Sequence, residues 1–210
     1  MCGAALAVAL AALLFSAAAA TAAPTGLTAE FGLPSPEGQP YGIAPGPDGA
    51  MWFTENRIAK IGRIAPGGEV TEFTIPNAET KTEVKPTGIA TGPDGSLWFS
   101  EYAKDKVARI TPAGTVSEFE LPTPAGGPFR IALGPDGNMW FVEEKADKIG
   151  RITPGGAISE FPTPGGAPSG IAQGPDGNLW FHRGAREQDR SRQPRRHVCG
   201  VPRPDSGERP

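Results

Sequence analysis

Two residue types that carry much of protein chemistry are scarce in this chain. Of its 210 residues, two are cysteine and two are histidine. Cys2 lies in the N-terminal stretch and Cys199 near the other end, so the body of the chain has neither a disulfide framework nor a thiolate metal site. His182 and His197 also fall late. The sequence contains no Ser-His-Asp constellation, no phosphate loop and no His/Cys metal cluster. Charge is missing from residues 1–23, an Ala-rich apolar run that ends in small residues around Ala20-Thr21-Ala22. That pattern predicts a secretory signal peptide, a secreted or periplasmic location and no membrane attachment after cleavage. A short membrane anchor is the other reading of the same run. No later stretch is apolar enough to span a bilayer.

What the chain has in excess is glycine and proline, 29 and 24 residues. They recur at regular intervals, which points to turns rather than disorder. One unit is written three times and begun a fourth. It opens with Pro-x-Gly-Ile-Ala at Pro40, Pro86 and Pro168, with a variant at Pro128. Gly-Pro-Asp-Gly follows at Gly46, Gly92, Gly134 and Gly174, spaced by 46, 42 and 40 residues. Trp-Phe-x-Glu comes next, then Lys-Ile-Gly-Arg-Ile, a Pro-Gly-Gly turn and a closing Glu-Phe. In Pro-Asp-Gly the proline presets φ, the aspartate bonds nearby backbone and the glycine accepts positive φ. Between turns, runs such as Leu97–Glu101 suit strands with alternating faces.

Four short strands per unit of about 40 residues is the pattern of a β-propeller blade. The fold class is therefore all-β, a propeller of four-stranded antiparallel blades. Three full blades are expected at 40–76, 86–122 and 128–163, and half of a fourth at 168–181. Trp52, Phe53, Trp98, Phe99, Trp140, Phe141 and Trp180 are read as filling between blades. Residues 27–34 match the end of a unit, which suggests a ring-closing strand that completes the last blade. The partial propeller thus spans residues 27–181.

After Phe181 the pattern breaks and the charge changes sign. Residues 1–181 carry 12 Lys+Arg against 19 Asp+Glu, and residues 182–210 carry 8 Arg against 4 acids. If each codon is taken from the last two bases of one residue and the first base of the next, GC-rich codons restore the repeat. Glu187–Arg192 can then encode Asn-Lys-Ile-Gly-Arg, and Cys199–Arg203 can encode Ala-Glu-Phe-Pro-Val. The basic tail 182–210 is accordingly read as an out-of-frame, disordered translation of the next repeat. Its likeness to a nucleic-acid arm then carries no weight, and no nucleic-acid partner is expected.

Pro-x-Gly-Ile, Gly-Pro-Asp-Gly, Trp-Phe-Thr-Glu, Lys-Ile-Gly-Arg-Ile and Glu-Phe together resemble the virginiamycin B lyase (streptogramin B lyase) family. The resemblance implies a seven-bladed propeller that opens cyclic depsipeptide antibiotics by elimination at the ester. It also implies a general base that takes an α-proton and Mg²⁺ that stabilises the developing enolate. In that family, catalytic histidines stand in Pro-His-x-Ile segments of later blades, beyond those written here. Here those slots hold Tyr41, Thr87, Phe129 and Ser169, none of which titrates near neutral pH; tyrosine titrates near ~10. No catalytic residue is assigned. Glu55, Glu101 and Glu143 of the Trp-Phe-x-Glu segments are the binding or metal-side candidates, with His182 taken as the fourth occupant of that position. The other reading is that each Glu bonds its own blade or a neighbouring Lys or Arg. The expected ligand is a small molecule or cyclic depsipeptide, and an intact ring would be a monomer. The chain as written is expected to be inactive. A secreted binding or scaffold propeller that never had lyase chemistry is the competing class.

Overall fold

The computed structural model describes residues 28–76, 83–163 and 166–184 and the backbone of 198–201. The leader 1–23, His197 and most of the basic tail lie outside the described residues. Those described hold strands and turns, with no helix among them.

Three four-stranded antiparallel sheets follow one another in the chain. Blade 1 comprises β1 (Pro40–Pro45), β2 (Met51–Glu55), β3 (Lys60–Ile64) and β4 (Val70–Thr74). Blade 2 comprises β5 (Pro86–Thr91), β6 (Leu97–Glu101), β7 (Lys106–Ile110) and β8 (Val116–Glu120). Blade 3 comprises β9 (Pro128–Leu133), β10 (Met139–Glu143), β11 (Lys148–Ile152) and β12 (Ile158–Pro162). Within each blade the strands pair in sequence order. The first strands β1, β5 and β9 lie side by side, and β9 in turn lies beside β13 (Pro168–Gln173) of the fourth sheet. They form the inner edge of the arc.

The fourth sheet departs from the expected half blade. β14 (Leu179–Arg183) continues two residues past the expected break, and β15 (Val198–Val201) pairs with it antiparallel, Phe181 opposite Cys199. The tail was expected to be without structure; at these four residues that expectation is corrected. The reason is edge chemistry: β14 offers a row of unpaired backbone groups, and a short Val-containing segment can satisfy them. The connection to β15 runs from Gly184 to His197, whereas blade 1 makes the same step with Asn56–Ala59.

The expected ring-closing strand is also corrected. Residues 28–33 have no regular structure. The segment nevertheless occupies the place of an outer strand: Phe31 packs against Gly68 as Phe73 packs against Gly114 and Phe119 against Gly156. Ser35 donates from its backbone N and its Oγ to Glu72 at 2.7 Å each, as Thr123 does to Glu160 at 2.9 and 2.5 Å.

Each Gly-Pro-Asp-Gly forms a hairpin turn between the first two strands, its last glycine at φ of 74–75°. The Asp carboxylate then does two jobs. It accepts the Trp indole N–H, at 3.1, 3.0, 2.9 and 3.1 Å for Asp48, Asp94, Asp136 and Asp176. In blades 1 and 2 it also holds the third-strand Arg63 at 2.5 Å and Arg109 at 3.2 Å. The locked indole faces the next blade. Trp52, Ile61 and Ala44 pack on Leu97, Phe99 and Ile110; Trp98 and Val107 pack on Met139, Phe141 and Ile152; Trp140 and Ile149 pack on Leu179 and Phe181. One junction is thus built three times, the Trp face of one blade on the Phe face of the next. Each buried aromatic contributes roughly 1.5–3 kcal/mol.

Candidate functional site

Glu55, Glu101 and Glu143 end the second strand of their blades, opposite Pro40, Pro86 and Pro128. They stand at one side of the arc, where the second-to-third-strand turns and the loops between blades lie. All three are fully buried. None of the six carboxylate oxygens has a hydrogen-bond partner in the described protein. Hydrogen bonding to a neighbouring Lys or Arg, one of the two readings from the sequence, is therefore not what these groups do. The lysines that stand opposite in register, Lys60, Lys106 and Lys148, turn instead to Glu72, Glu118 and Glu160 at 2.6, 3.2 and 2.6 Å. Glu55 and Glu143 abut Gly38 and Gly126 of the incoming loops, where a Cβ would stand 2.8–2.9 Å from a carboxylate oxygen. Burial, followed by repulsion from Glu72, raises Glu55 to about 7. Burial and Glu118 raise Glu101 to about 8, and burial and Glu160 raise Glu143 to about 7.

The fourth repeat needs a correction of slot. Pro168 pairs with Arg183, as Pro40 pairs with Glu55, so Arg183 holds the Glu position. His182 stands one residue earlier, in the slot of Thr54, Ser100 and Val142. That slot has a function which the sequence pattern did not disclose. Thr54 Oγ1 accepts the Gly42 N–H at 2.9 Å and donates to the Thr87 carbonyl of blade 2 at 2.8 Å. Ser100 Oγ accepts the Gly88 N–H at 3.0 Å and donates to the Phe129 carbonyl of blade 3 at 2.7 Å. The hydroxyl is a clamp between adjacent inner strands; Val142 lacks it. The only available signal was that two of four occupants carry a hydroxyl.

Tyr41, Thr87, Phe129 and Ser169, the second residue of each inner strand, come to the inner edge in different states. Thr87 is buried, its Oγ1 2.9 Å from both Ser100 Oγ and the Phe129 carbonyl. Tyr41 and Phe129, from blades 1 and 3, meet at 5.9 Å between ring centroids. The Arg130 guanidinium lies 5.1 Å from both rings. Tyr102 approaches Phe129 at 6.1 Å and carries the Lys145 ammonium 4.3 Å from its ring. Ser169 Oγ lies 3.0 Å from His182 Nδ1. A cavity of about 660 Å³ opens here, lined by Tyr41, Phe129, Arg130, Ser169, Phe181 and Trp180 among others. It is mostly apolar with one fixed cation, the character of a small-molecule site.

The described residues contain no group of three or more His, Cys, Asp or Glu side chains that could hold a metal. The three buried glutamates do not converge, so these blades do not fit a Mg²⁺ site.

An arc of four-stranded blades with its inner strands side by side and a ligand-sized cavity at their edge defines an incomplete β-propeller. The sequence profile of the Virginiamycin B lyase family matches residues 16–84 and 78–190. The chain belongs to that family. A virginiamycin B lyase of Saccharopolyspora erythraea is 57% identical over 42 residues, 20% of this chain and 14% of the relative. That of Bordetella pertussis is 48% identical over 50 residues, 24% and 17%. Among solved structures, a virginiamycin B lyase of Staphylococcus aureus superposes with a TM-score of 0.72 at 38% identity, over 87% of this chain and 61% of that one. A catalytically inactive form of the S. aureus enzyme with quinupristin gives 0.68 at 36% identity, over 82% and 59%. The chain thus spans about three-fifths of the solved enzymes and under a fifth of the curated relatives in those local matches.

Proposed function

We propose that this chain is the ligand-binding arc of a secreted streptogramin-lyase-like propeller, holding a cyclic depsipeptide at its inner edge without opening it. The observation that carries this is the cluster of Tyr41, Phe129 and Arg130 beside the cavity. Aromatic faces suit an apolar macrocycle, and a guanidinium suits its ester and amide carbonyls. The S. aureus structure with quinupristin supports the class of ligand.

Turnover in the family, by resemblance, is a Mg²⁺-assisted elimination begun by a general base. A base must reach the α-proton and titrate near working pH. Tyr41 is held as an aromatic wall by its contacts with Phe129 and Arg130. Phe129 has no proton to exchange, and Thr87 is committed to its clamp. His182 is the one imidazole among the described residues. Its Nδ1 is engaged by Ser169, and its Nε2 lies against Gly170, where a Cβ would stand only 2.3 Å away. No step is assigned to a metal, since the donor set does not fit one. The tail, read as an out-of-frame repeat, belongs to the same proposal: restoring the frame near codon 181 would return a Lys-Ile-Gly-Arg third strand.

Titration calorimetry with quinupristin, together with chromatography of the mixture, tests the proposal. Binding is expected, weakened at least fivefold by Tyr41→Ala or Arg130→Ala, with no ring-opened product. Ring opening by the 210-residue chain, or binding indifferent to both substitutions, overturns it. A scaffold propeller without this ligand would show no heat at all.

A further inference from the structure

Blade 3 departs from the other repeats at two neighbouring positions. Its inner strand carries Arg130 where Gly42, Gly88 and Gly170 stand. Its second strand carries Val142 where Thr54 and Ser100 stand, opposite the bulge that holds Phe129 and Arg130. Blades 1 and 2 need their glycines: a Cβ at Gly42 would stand 2.5 Å from the Thr87 carbonyl oxygen, and one at Gly88 2.6 Å from that of Phe129. Those are the carbonyls that receive the Thr54 and Ser100 hydroxyls. Val142 is buried and has nothing to donate. The two changes therefore belong together. Blade 3 gives up the clamp toward blade 4 and gains a guanidinium. The arc continues on both sides of blade 3, so this departure lies in its interior.

The guanidinium is held without being neutralised. The third-strand Arg63, Arg109 and Arg151 lie over Trp52, Trp98 and Trp140, and each also meets the carboxylate of its turn, Asp48, Asp94 or Asp136. Arg130 has the rings of Tyr41 and Phe129 and, among the described residues, no carboxylate partner. The cavity beside it is lined by no Asp or Glu. An ester or amide carbonyl brings this fork one acceptor and no charge. A carboxylate accepts two parallel N–H bonds and supplies the missing charge. Held between two rings, the guanidinium has little freedom left to lose on pairing.

We propose that the preferred ligand of this cavity is a ring-opened peptide whose new carboxylate pairs with Arg130. This rests on the reading that the cavity takes a depsipeptide, and it names the form that is held best. Opening the ring by elimination supplies that form. A base takes the α-proton, the carbon–oxygen bond on the alcohol side of the ester breaks, a C=C bond forms, and the oxygen leaves with the acyl group as a carboxylate. Hydrolysis of the same ester supplies a carboxylate as well, with an alcohol in place of the alkene. The arc thus stands after a ring-opening reaction, as a receptor for its acidic product.

Titration calorimetry of the full chain with three probes tests this. The probes are quinupristin, the linear acid made from it by alkaline hydrolysis of the ring ester, and the methyl ester of that acid. The methyl ester has the same open chain without the charge. The acid is expected to bind about tenfold or more tighter than either of the others, with the gap narrowing as salt is raised. Arg130→Gln is expected to erase the preference for the acid. If that variant loses its far-ultraviolet β spectrum, Arg130→Gly, the residue of the other three repeats, takes its place. An acid bound no tighter than the methyl ester, or a preference that survives both substitutions, overturns the proposal while binding of quinupristin leaves the underlying reading intact. Binding of none of the three overturns both. Binding of the acid alone, lost with Arg130, upholds the carboxylate site and overturns the closed ring as ligand.

Discussion

Changing Glu101 to Gln is expected to stabilise the fold at alkaline pH and to bring no gain in acid. Glu101 is fully buried, and its oxygens accept no hydrogen bond from the described protein. Burial first, then the Glu118 carboxylate, lifts it from 4.5 to about 8, with Lys106 and Lys104 pulling weakly the other way. In the unfolded chain it titrates near its ordinary value. Between those two values the folded chain holds a proton that the unfolded chain has released, so stability falls as pH rises. The loss begins near 4.5 and is complete just above 8. At about 1.4 kcal/mol per pH unit for one group, the window amounts to roughly 5 kcal/mol. Glu55 and Glu143, raised to about 7, act in the same sense over a shorter window. Urea denaturation at fixed protein concentration and pH 5, 7 and 9 measures this. The wild-type midpoint is expected to fall steadily, and E101Q to fall less. The buried amide of the variant costs about 1–3 kcal/mol if it finds no partner, so E101Q is expected to equal or trail the wild type at pH 5. At pH 9 it leads. An E101Q protein no more stable than wild type at pH 9, or one with an unchanged slope, refutes the reasoning.

Three further outcomes are expected from the same denaturation assay. Asp94→Ala removes the acceptor of the Trp98 indole and the partner of Arg109, and is expected to cost about 1–3 kcal/mol. Gly46→Ala places a Cβ 2.4 Å from the Trp52 indole nitrogen, breaks its bond to Asp48, and is expected to cost about 1–3 kcal/mol by overpacking. Thr54→Val strands the Gly42 N–H and loses the bond to Thr87; it is expected to cost about 1–3 kcal/mol, while Thr54→Ser restores most of it.

The blades were legible because their signals are local and periodic. A Gly-Pro-Asp-Gly turn prescribes its own hairpin, and Trp-Phe-x-Glu alternates as a strand must. What stayed hidden depended on contacts between distant segments. Glu55 and Lys60 stand opposite each other in register, which invites an ion pair; the lysine instead reaches Glu72 on the strand beyond. The glutamate's position was readable from the repeat, but its burial without a partner was not. The N-terminal Ala-Glu-Phe-Gly-Leu-Pro matches an outer strand in sequence, and its Phe31 takes the matching contact. With no adjacent third strand to pair with, its backbone stays irregular. β15 was unreadable for the opposite reason: Val198–Val201 carries no repeat signature and is recruited by the open edge of β14.

Comparing the four repeats with one another separates scaffold from site. The Asp of the turn and the Trp it holds are the same in all four units, and Arg63, Arg109 and Arg151 recur in the three complete blades. These residues make the junctions. The positions that differ are Tyr41, Thr87, Phe129 and Ser169 on the inner strands, and Thr54, Ser100, Val142 and His182 behind them. Tyr41, Phe129, Ser169 and His182 line the cavity, whereas Thr54, Thr87, Ser100 and Val142 are buried, so the eight are not equally free to change. Thr87 is tied to Ser100 and to the Phe129 carbonyl, so an imidazole there would break the clamp between blades 2 and 3. Tyr41 is 44% exposed and holds its place through ring contacts with Phe129 and Arg130. A general base could be introduced at Tyr41 without breaking a hydrogen-bonded clamp between blades, at the expense of its ring contacts with Phe129 and Arg130. On the proposed function, binding surface and catalytic base compete for the same inner-strand positions, and the ring contacts of Tyr41, Phe129 and Arg130 favour the binding surface in these blades.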